Sequence, residues 1–127
     1  MKKVLIVDDA AFMRLTIKEL LGKIDSVEFA EAQNGIEAVS KYMEIKPDVV
    51  TMDITMPDMT GLEALKLIRK VDPQAKVVMV SAMGQENMVK EAVLNGAKTF
   101  IIKPFKEEHV LGTIKKLLES RKQMREV

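Results

Sequence analysis

The sequence predicts an α/β domain built on a doubly wound, five-stranded parallel sheet with helices on both faces. Two observations support this prediction. Five short apolar runs, several of them rich in β-branched residues, are typical of strands at 4–7, 27–32, 49–52, 77–80 and 99–102. Each run is followed by a segment of helical periodicity. Strict alternation of this kind builds βαβ units, whose right-handed crossovers bury a parallel sheet on both faces.

The first and last helical segments show the clearest apolar faces. Apolar residues recur at helical spacing at Met13, Ile17, Leu20, Leu21 and Ile24 in the first, and at Val110, Leu111, Ile114, Leu117 and Leu118 in the last. The second helix is expected to open at Asn34-Gly35, where asparagine is a good capping residue. The third lies between the third and fourth strands. The fourth is expected to end at Asn95-Gly96, because glycine tolerates the left-handed backbone of a helix stop.

The composition is that of an ordinary globular domain. A chain of 127 residues suits one domain, 1–127, in which 120–127 is expected to form a charged helical C-terminal extension. The net charge of +1 does not match the strongly basic surface of a dedicated nucleic-acid binder. The sequence has no cysteine and shows neither the pattern of a secretory leader nor a membrane-spanning apolar stretch. We therefore expect a cytoplasmic protein with no membrane partner and no direct nucleic-acid partner.

Residues capable of chemistry follow four of the predicted strands. Asp8 and Asp9 follow the first strand, Asp53 the third, Ser81 the fourth and Lys103 the fifth. A doubly wound sheet binds its ligands outside the carboxyl ends of the strands, so these side chains should meet at one edge. A single strand-end acid is often only a helix cap, and a single lysine is usually solvated. The joint placement of all five residues favours a functional site.

Three clustered carboxylates repel one another, so the predicted site requires a cation. Hard oxygen ligands favour Mg²⁺, whereas a chain with no cysteine and one histidine far from the acids is poorly suited to zinc. A carboxylate can also attack phosphorus and form an acyl phosphate. Asp53 is the best candidate for this nucleophile, because Asp8 and Asp9 form a vicinal pair suited to the metal. Lys103 and the Ser81 hydroxyl would then contact the phosphoryl oxygens.

These residues lie in four short motifs: Asp8-Asp9, Met52-Asp53-Ile54-Thr55-Met56-Pro57, Ser81-Ala82 and Lys103-Pro104-Phe105. Over residues 3–120 the chain resembles the receiver domain of two-component response regulators, which has a flavodoxin-like fold. The resemblance implies that Asp53 accepts a phosphoryl group from a phosphohistidine on a sensor histidine kinase. It also implies that Mg²⁺ is held by Asp8, Asp9, Asp53 and the backbone carbonyl of Thr55.

The same resemblance implies a conformational switch. Ser81 is the switch hydroxyl, Lys103 pairs with the phosphate, and the Lys103-Pro104 peptide bond is cis. Phe100 stands at the aromatic switch position, where Tyr is commoner in the family, and Ser81 stands where Thr is commoner. A mechanism that needs a phenolic hydrogen bond therefore cannot operate here, whereas a rotamer change driven by packing can.

Within the family, the runs 8–14, 51–57 and 81–85 are similar to the stand-alone chemotaxis regulators. This similarity implies a monomeric signalling protein that assists its own phosphorylation and dephosphorylation and is not a conventional enzyme. Its phosphoryl donor would be a CheA-type kinase, and a dedicated phosphatase is a further candidate partner. The phosphorylated form would bind the flagellar motor switch protein through the face formed by the fourth helix, fifth strand and fifth helix.

Several alternatives remain open from the sequence. Inside the family, the chain could be a phosphorelay intermediate or the receiver segment of a DNA-binding transcriptional regulator. Outside it, a Mg²⁺-dependent phosphatase with an aspartyl nucleophile is the closest chemical rival, but it needs a second acid two residues after the nucleophile, and position 55 is Thr. An FMN carrier needs a hydroxyl-rich loop after the first strand, where this chain has two acids. A P-loop motif is absent.

Overall fold

The computed structural model, which describes residues 1–120, confirms the predicted α/β architecture. Five parallel strands form one sheet in the order β2-β1-β3-β4-β5. The strands are β1 (Lys2–Val7), β2 (Val27–Ala32), β3 (Val49–Asp53), β4 (Val77–Ser81) and β5 (Thr99–Ile102). The helices are α1 (Ala11–Leu21), α2 (Gly35–Ile45), α3 (Gly61–Val71), α4 (Glu86–Leu94) and α5 (Glu107–Glu119). Two strands end one residue later than predicted, so Asp53 and Ser81 are the last residues of β3 and β4.

Each face of the sheet is covered by its own layer of helices. The buried residues of α2, α3 and α4 join one apolar cluster, and those of α1 and α5 join a second. In β1, Leu5 and Val7 belong to the first cluster and Val4 and Ile6 to the second, as expected for side chains that alternate across a strand. Full burial of one such side chain contributes about 1.5–3 kcal/mol, so both layers are needed to cover strands this apolar.

Local backbone chemistry sets several helix ends. The Asn34 side chain accepts a hydrogen bond from the backbone N–H of Glu37, which confirms the predicted start of α2. At the start of α3, Thr60 and Glu63 form a reciprocal capping box. The fourth helix ends as predicted: Asn95 is its C-cap, and the next residue is a glycine with φ of +100°.

The end of α1 departs from the prediction. The apolar pattern extends to Ile24, but the helix ends at Leu21 and Gly22 is its C-cap. Ile24 instead lies in the following turn, where its N–H donates to the carbonyl of Leu21 at 3.0 Å. Its partly buried side chain still packs against the α1 and α5 cluster, which explains why it fits the helical apolar pattern.

A buried lysine holds the end of α5. The Lys76 side chain, only 5% exposed, donates from Nζ to the carbonyl oxygens of Leu117 at 2.6 Å and Ser120 at 2.9 Å. A cation at this position also complements the negative end of the helix dipole. The helix ends at Glu119, and Ser120 is extended. The rest of the predicted C-terminal extension, 121–127, lies outside the described residues. No helix in the described part of the chain is long and apolar enough to span a membrane.

Candidate functional site

The three predicted acids meet at the carboxyl edge of the sheet. The register pairs Val7 of β1 with Met52 of β3, so Asp8 and Asp53 follow adjacent positions on neighbouring strands. Asp8, Asp9 and Asp53 each place one carboxylate oxygen within 4.8 Å of the others. Strand order reverses between β1 and β3, which is where a doubly wound sheet forms its ligand crevice.

Asp8 is held in place at one oxygen and left without a donor at the other. Its Oδ1 accepts a hydrogen bond from the backbone N–H of Ala10 at 2.9 Å. Its Oδ2 is buried and has no hydrogen-bond donor among the described residues. Since a buried carboxylate oxygen that accepts no hydrogen bond is disfavoured, this atom is suited to a cation.

Arg14 supports this loop, a role that was not predicted from the sequence. Its Nη1 donates to the backbone carbonyl of Asp8 at 2.7 Å, and its Nε pairs with Glu31 at 2.8 Å. Lys18 also pairs with Glu31, at 2.7 Å, and the two cations lower the pKa of that carboxyl. The only sequence clue to Arg14 is its place in the first turns of the helix after Asp8.

Lys103 lies beside the acids, as predicted. Its Nζ is 3.6 Å from Oδ2 of Asp8 and 3.7 Å from Oδ1 of Asp53, which are ion-pair distances too long for strong hydrogen bonds. The backbone N–H of Lys103 donates to the carbonyl of Ser81 at 2.9 Å, so the tips of β4 and β5 are tied together. The predicted cis peptide bond between Lys103 and Pro104 is confirmed.

Asp53 is the acid whose ionisation the site disfavours most clearly. Burial and, after it, the negative charge of Asp8 raise the pKa of its carboxyl to about 6, and the positive charge of Lys103 offsets only part of this rise. One lysine therefore does not balance the three carboxylates. The candidate ligand atoms are hard oxygens, and Oδ2 of Asp8 accepts no hydrogen bond from the described residues. These features fit Mg²⁺, which binds through one or two carboxylates while keeping several waters.

Ser81 and Phe100 lie on one face of the sheet. Ser81 is in step with Val77 and Met79, which pack in the cluster of α2, α3 and α4. Phe100 flanks Ile101, whose side chain points to the opposite cluster. Ser81 is 2% exposed and Phe100 is 36% exposed, so the hydroxyl is inside the edge while the ring is partly at the surface. Ser81 and the ring of Phe100 therefore lie on the same face of two adjacent strands.

Thr55 lies in the loop after β3 and is exposed. Its hydroxyl oxygen accepts a hydrogen bond from Nε2 of Gln85 at 2.9 Å, and Oε1 of Gln85 accepts from the backbone N–H of Ala82 at 2.7 Å. No role for Gln85 was predicted from the sequence. Its position just before α4 shows no periodicity or charge that would single it out.

The fold and this edge define a class of protein: doubly wound α/β domains whose strand tips bring acids and a lysine together in a cluster suited to a cation. The chain belongs to the response regulator receiver domain family, whose model matches residues 4–115. Chemotaxis protein CheY from Thermotoga maritima is 55% identical over 116 residues, which cover 91% of this chain and 97% of that protein. Chemotaxis protein CheY from Listeria monocytogenes is 58% identical, with 91% and 98% covered.

A solved structure of a CheY complex is also similar to this chain. One chain of the CheX-CheY-BeF3-Mg²⁺ complex from Borrelia burgdorferi superposes with a TM-score of 0.85 at 38% sequence identity. The match covers 94% of this chain and 90% of that chain. The fold and the predicted family are therefore both confirmed.

Proposed function

We propose that this chain is a chemotaxis response regulator that is activated by phosphorylation of Asp53. The observation that carries the proposal is the cluster itself: Asp53 lies within 4.8 Å of Asp8 and Asp9, and Lys103 stands 3.7 Å from its carboxylate. The high identity to CheY proteins over nearly the whole chain supports the chemotaxis assignment.

The acids of the site would have two roles, metal binding and nucleophilic attack. Asp8, Asp9, Asp53 and the backbone carbonyl of Thr55 would hold Mg²⁺, which when bound neutralises negative charge on the carboxylates and on the phosphoryl oxygens. The Asp53 carboxylate attacks the phosphorus of a phosphohistidine. A P–O bond forms, the P–N bond breaks with its electron pair going to the imidazole, and an acyl phosphate results. Metal binding also favours the ionised form of Asp53, which is the nucleophilic form.

Lys103 and Ser81 would convert phosphorylation into a change of shape. The phosphoryl group adds roughly two negative charges. The Lys103 ammonium pairs with it and the Ser81 hydroxyl donates to it, which draws the tip of β4 toward Asp53 and leaves room for Phe100 to turn inward. Shifting a two-state equilibrium from 1:99 to 99:1 needs about 5.5 kcal/mol of differential interaction. Charge-assisted contacts from two residues are of that order together.

The surface around Phe100 is the proposed output face. Phe100 and Ile102 lie on the same face of edge strand β5 and are 36% and 48% exposed. An exposed apolar surface at an edge strand suits a protein partner. We assign it to the flagellar motor switch protein, with a CheA-type kinase as phosphoryl donor. The CheX-CheY complex is a precedent for a further protein partner, and a dedicated phosphatase is the partner we propose. A cytoplasmic monomer is consistent with this role.

The test compares two aspartates in the same region. Wild type, Asp53→Asn and Asp58→Asn are incubated with a small-molecule phosphodonor and Mg²⁺, and the acyl phosphate is measured by phosphate-affinity electrophoresis. Asp58 is an exposed loop residue with φ of +69°, a conformation that asparagine also adopts, which makes it a matched control. We expect label on wild type and Asp58→Asn only. Undiminished label on Asp53→Asn would refute the proposal.

A second comparison tests the coupling. Lys103→Ala is expected to remain phosphorylatable while losing the phosphorylation-dependent gain in affinity for a motor switch peptide, measured by calorimetry. The same affinity as phosphorylated wild type would remove Lys103 from the switch. Catalytic turnover of a phosphomonoester by wild type would instead favour the phosphatase alternative.

A further inference from the structure

The Gln85 side chain bridges the two loops that border the site. Its Oε1 accepts from the backbone N–H of Ala82 at 2.7 Å, and its Nε2 donates to Oγ1 of Thr55 at 2.9 Å. Ala82 directly follows Ser81 in the β4–α4 loop, and Thr55 lies two residues after Asp53 in the β3–α3 loop. One amide side chain therefore joins the two segments that flank Asp53.

The backbone of the β4–α4 loop is shaped for this contact. Gly84 has φ of +91°, a left-handed conformation that glycine adopts without strain, and the turn brings Gln85 back toward Ala82. No heavy atom lies within 4 Å of the place where a Cβ on Gly84 would stand. The glycine is thus required by the backbone conformation and not by close packing.

We propose that Gln85 is a positioning residue that clamps the β4–α4 loop in the resting state and releases Ala82 and Thr55 when Asp53 is phosphorylated. This inference rests on the proposed function. Movement of Ser81 toward a phosphoryl group carries Ala82 with it, because the two residues are adjacent. Because the Gln85 amide is also bonded to Thr55 in the other loop, one of its two hydrogen bonds then has to lengthen or break, so their strength sets part of the resting preference.

The size of the effect follows from the contacts. Both hydrogen bonds join neutral groups near the surface, and a net hydrogen bond of this kind changes an equilibrium by about two- to tenfold. Gln85→Ala removes both bonds, whereas Thr55→Val removes one and keeps the shape of the side chain. The hydrogen bond to Ala82 alone therefore shifts the equilibrium between the resting and active states toward the resting state by up to about tenfold.

The first experiment needs neither metal nor phosphate. Amide hydrogen exchange is measured at Ala82 in the unliganded protein for wild type, Gln85→Ala, Gln85→Glu and Asn87→Ala. We expect about two- to tenfold faster exchange in Gln85→Ala. Gln85→Glu keeps an acceptor for the amide and should restore protection, and Asn87→Ala, an exposed change in the first turn of α4, should leave it unchanged. Equal exchange in wild type and Gln85→Ala would overturn the clamp.

The second experiment measures binding of beryllofluoride, a phosphoryl mimic, by calorimetry at saturating Mg²⁺. We expect affinity to rise about two- to tenfold in Gln85→Ala, to rise less in Thr55→Val, and to rise no further in the double variant than in Gln85→Ala. Unchanged or weaker binding in Gln85→Ala would overturn the clamp's role in switching. Failure of wild type to bind the mimic would refute the proposed function instead, and the exchange result would still decide whether the clamp exists.

Discussion

Asp53 is a buried carboxyl group whose charged form is opposed by its surroundings. The proposed reaction requires the ionised form, yet burial and the neighbouring Asp8 raise the pKa of Asp53 to about 6. A functional site can keep such a conflict because a bound cation or phosphoryl contact resolves it. The resting protein therefore has a measurable dependence of stability on pH.

We predict that this dependence is visible in the metal-free protein. The folded-state pKa of Asp53, about 6, exceeds its unfolded value of 3.8, so the folded protein binds more protons between these limits. The free energy of unfolding should fall by about 3 kcal/mol from this group as pH rises from about 4 to about 6. Asp53→Asn should remove the fall and be more stable than wild type at pH 7, as measured by urea denaturation with a chelator present.

The control for this prediction is Asp25→Asn, an exposed change beside the start of β2 at the opposite end of the sheet. It should follow the wild-type curve. Parallel curves for wild type and Asp53→Asn between pH 4 and 7 would contradict the assignment of this pH dependence to Asp53.

At the residue scale, the sequence predicts which site residues lie at the ends of strands and therefore lie close together. Asp8, Asp53 and Lys103 follow apolar runs, and the geometry of a parallel sheet then brings them to one edge. Gln85 and Arg14 were not predicted, because their roles depend on how far one side chain reaches across a loop. The hydrophobic periodicity of a sequence carries no information about such side-chain contacts.

At the scale of elements, α3 approaches β3 unusually closely at Asp53. The N–H of Gly61 donates to the carbonyl of Ile54 at 2.7 Å. A Cβ at Gly61 would stand 1.9 Å from the backbone carbonyl oxygen of Asp53, much closer than any real contact. The first residue of α3 must therefore be glycine for the helix to pack against the end of β3.

We predict that Gly61→Ala destabilises the protein by more than about 2 kcal/mol, because backbone has to move to admit the methyl group. Gly112→Ala is the matched control, since this glycine lies within α5 and no described residue outside its own helix backbone and chain neighbours places an atom within 4 Å of an added Cβ. It should stabilise the protein by about 0.5–1 kcal/mol through helix propensity. Urea denaturation measures both effects. Equal effects of the two substitutions would show that the close approach to Asp53 is not a constraint.

Element ends were less predictable from sequence than element types. Leu20, Leu21 and Ile24 continue one apolar pattern, yet α1 ends at Leu21 and Ile24 reaches the same cluster from a turn. Apolar spacing reports which side chains are buried and does not report which backbone carries them. The ends at Asn34 and Asn95 were predictable because their side chains or following glycines have defined backbone preferences.

At the scale of the whole molecule, strand order brings the acids together. Alternation of strands and helices predicts a parallel sheet, but several strand orders satisfy it. The order that places β1 beside β3 was available only through the resemblance to receiver domains. With that order, Asp8 and Asp53 are neighbours although they are far apart in the chain. The free energy of unfolding of the whole domain therefore depends on the charge at the carboxyl edge of the sheet.

We predict that Mg²⁺ stabilises the domain through this coupling. A ligand that binds only the folded state at ten times its dissociation constant adds about 1.4 kcal/mol, or roughly 3–8 °C in Tm for a domain of this size. Because the metal displaces the proton from Asp53, whose pKa is about 6, the gain should be smaller at pH 5 than at pH 7.5. Scanning calorimetry at constant ionic strength measures it.

Asp9→Asn separates metal binding from general screening. Asp9 is the exposed member of the cluster, so its substitution should weaken the response to Mg²⁺ with little effect on the apolar core. Asp58→Asn, which changes an exposed acid outside the cluster, should respond as wild type does. If Na⁺ at matched ionic strength raised Tm as much as Mg²⁺, or if Asp9→Asn kept the full response, the acids at the strand tips would not form a specific divalent site. The repulsion among them would then be relieved by salt alone.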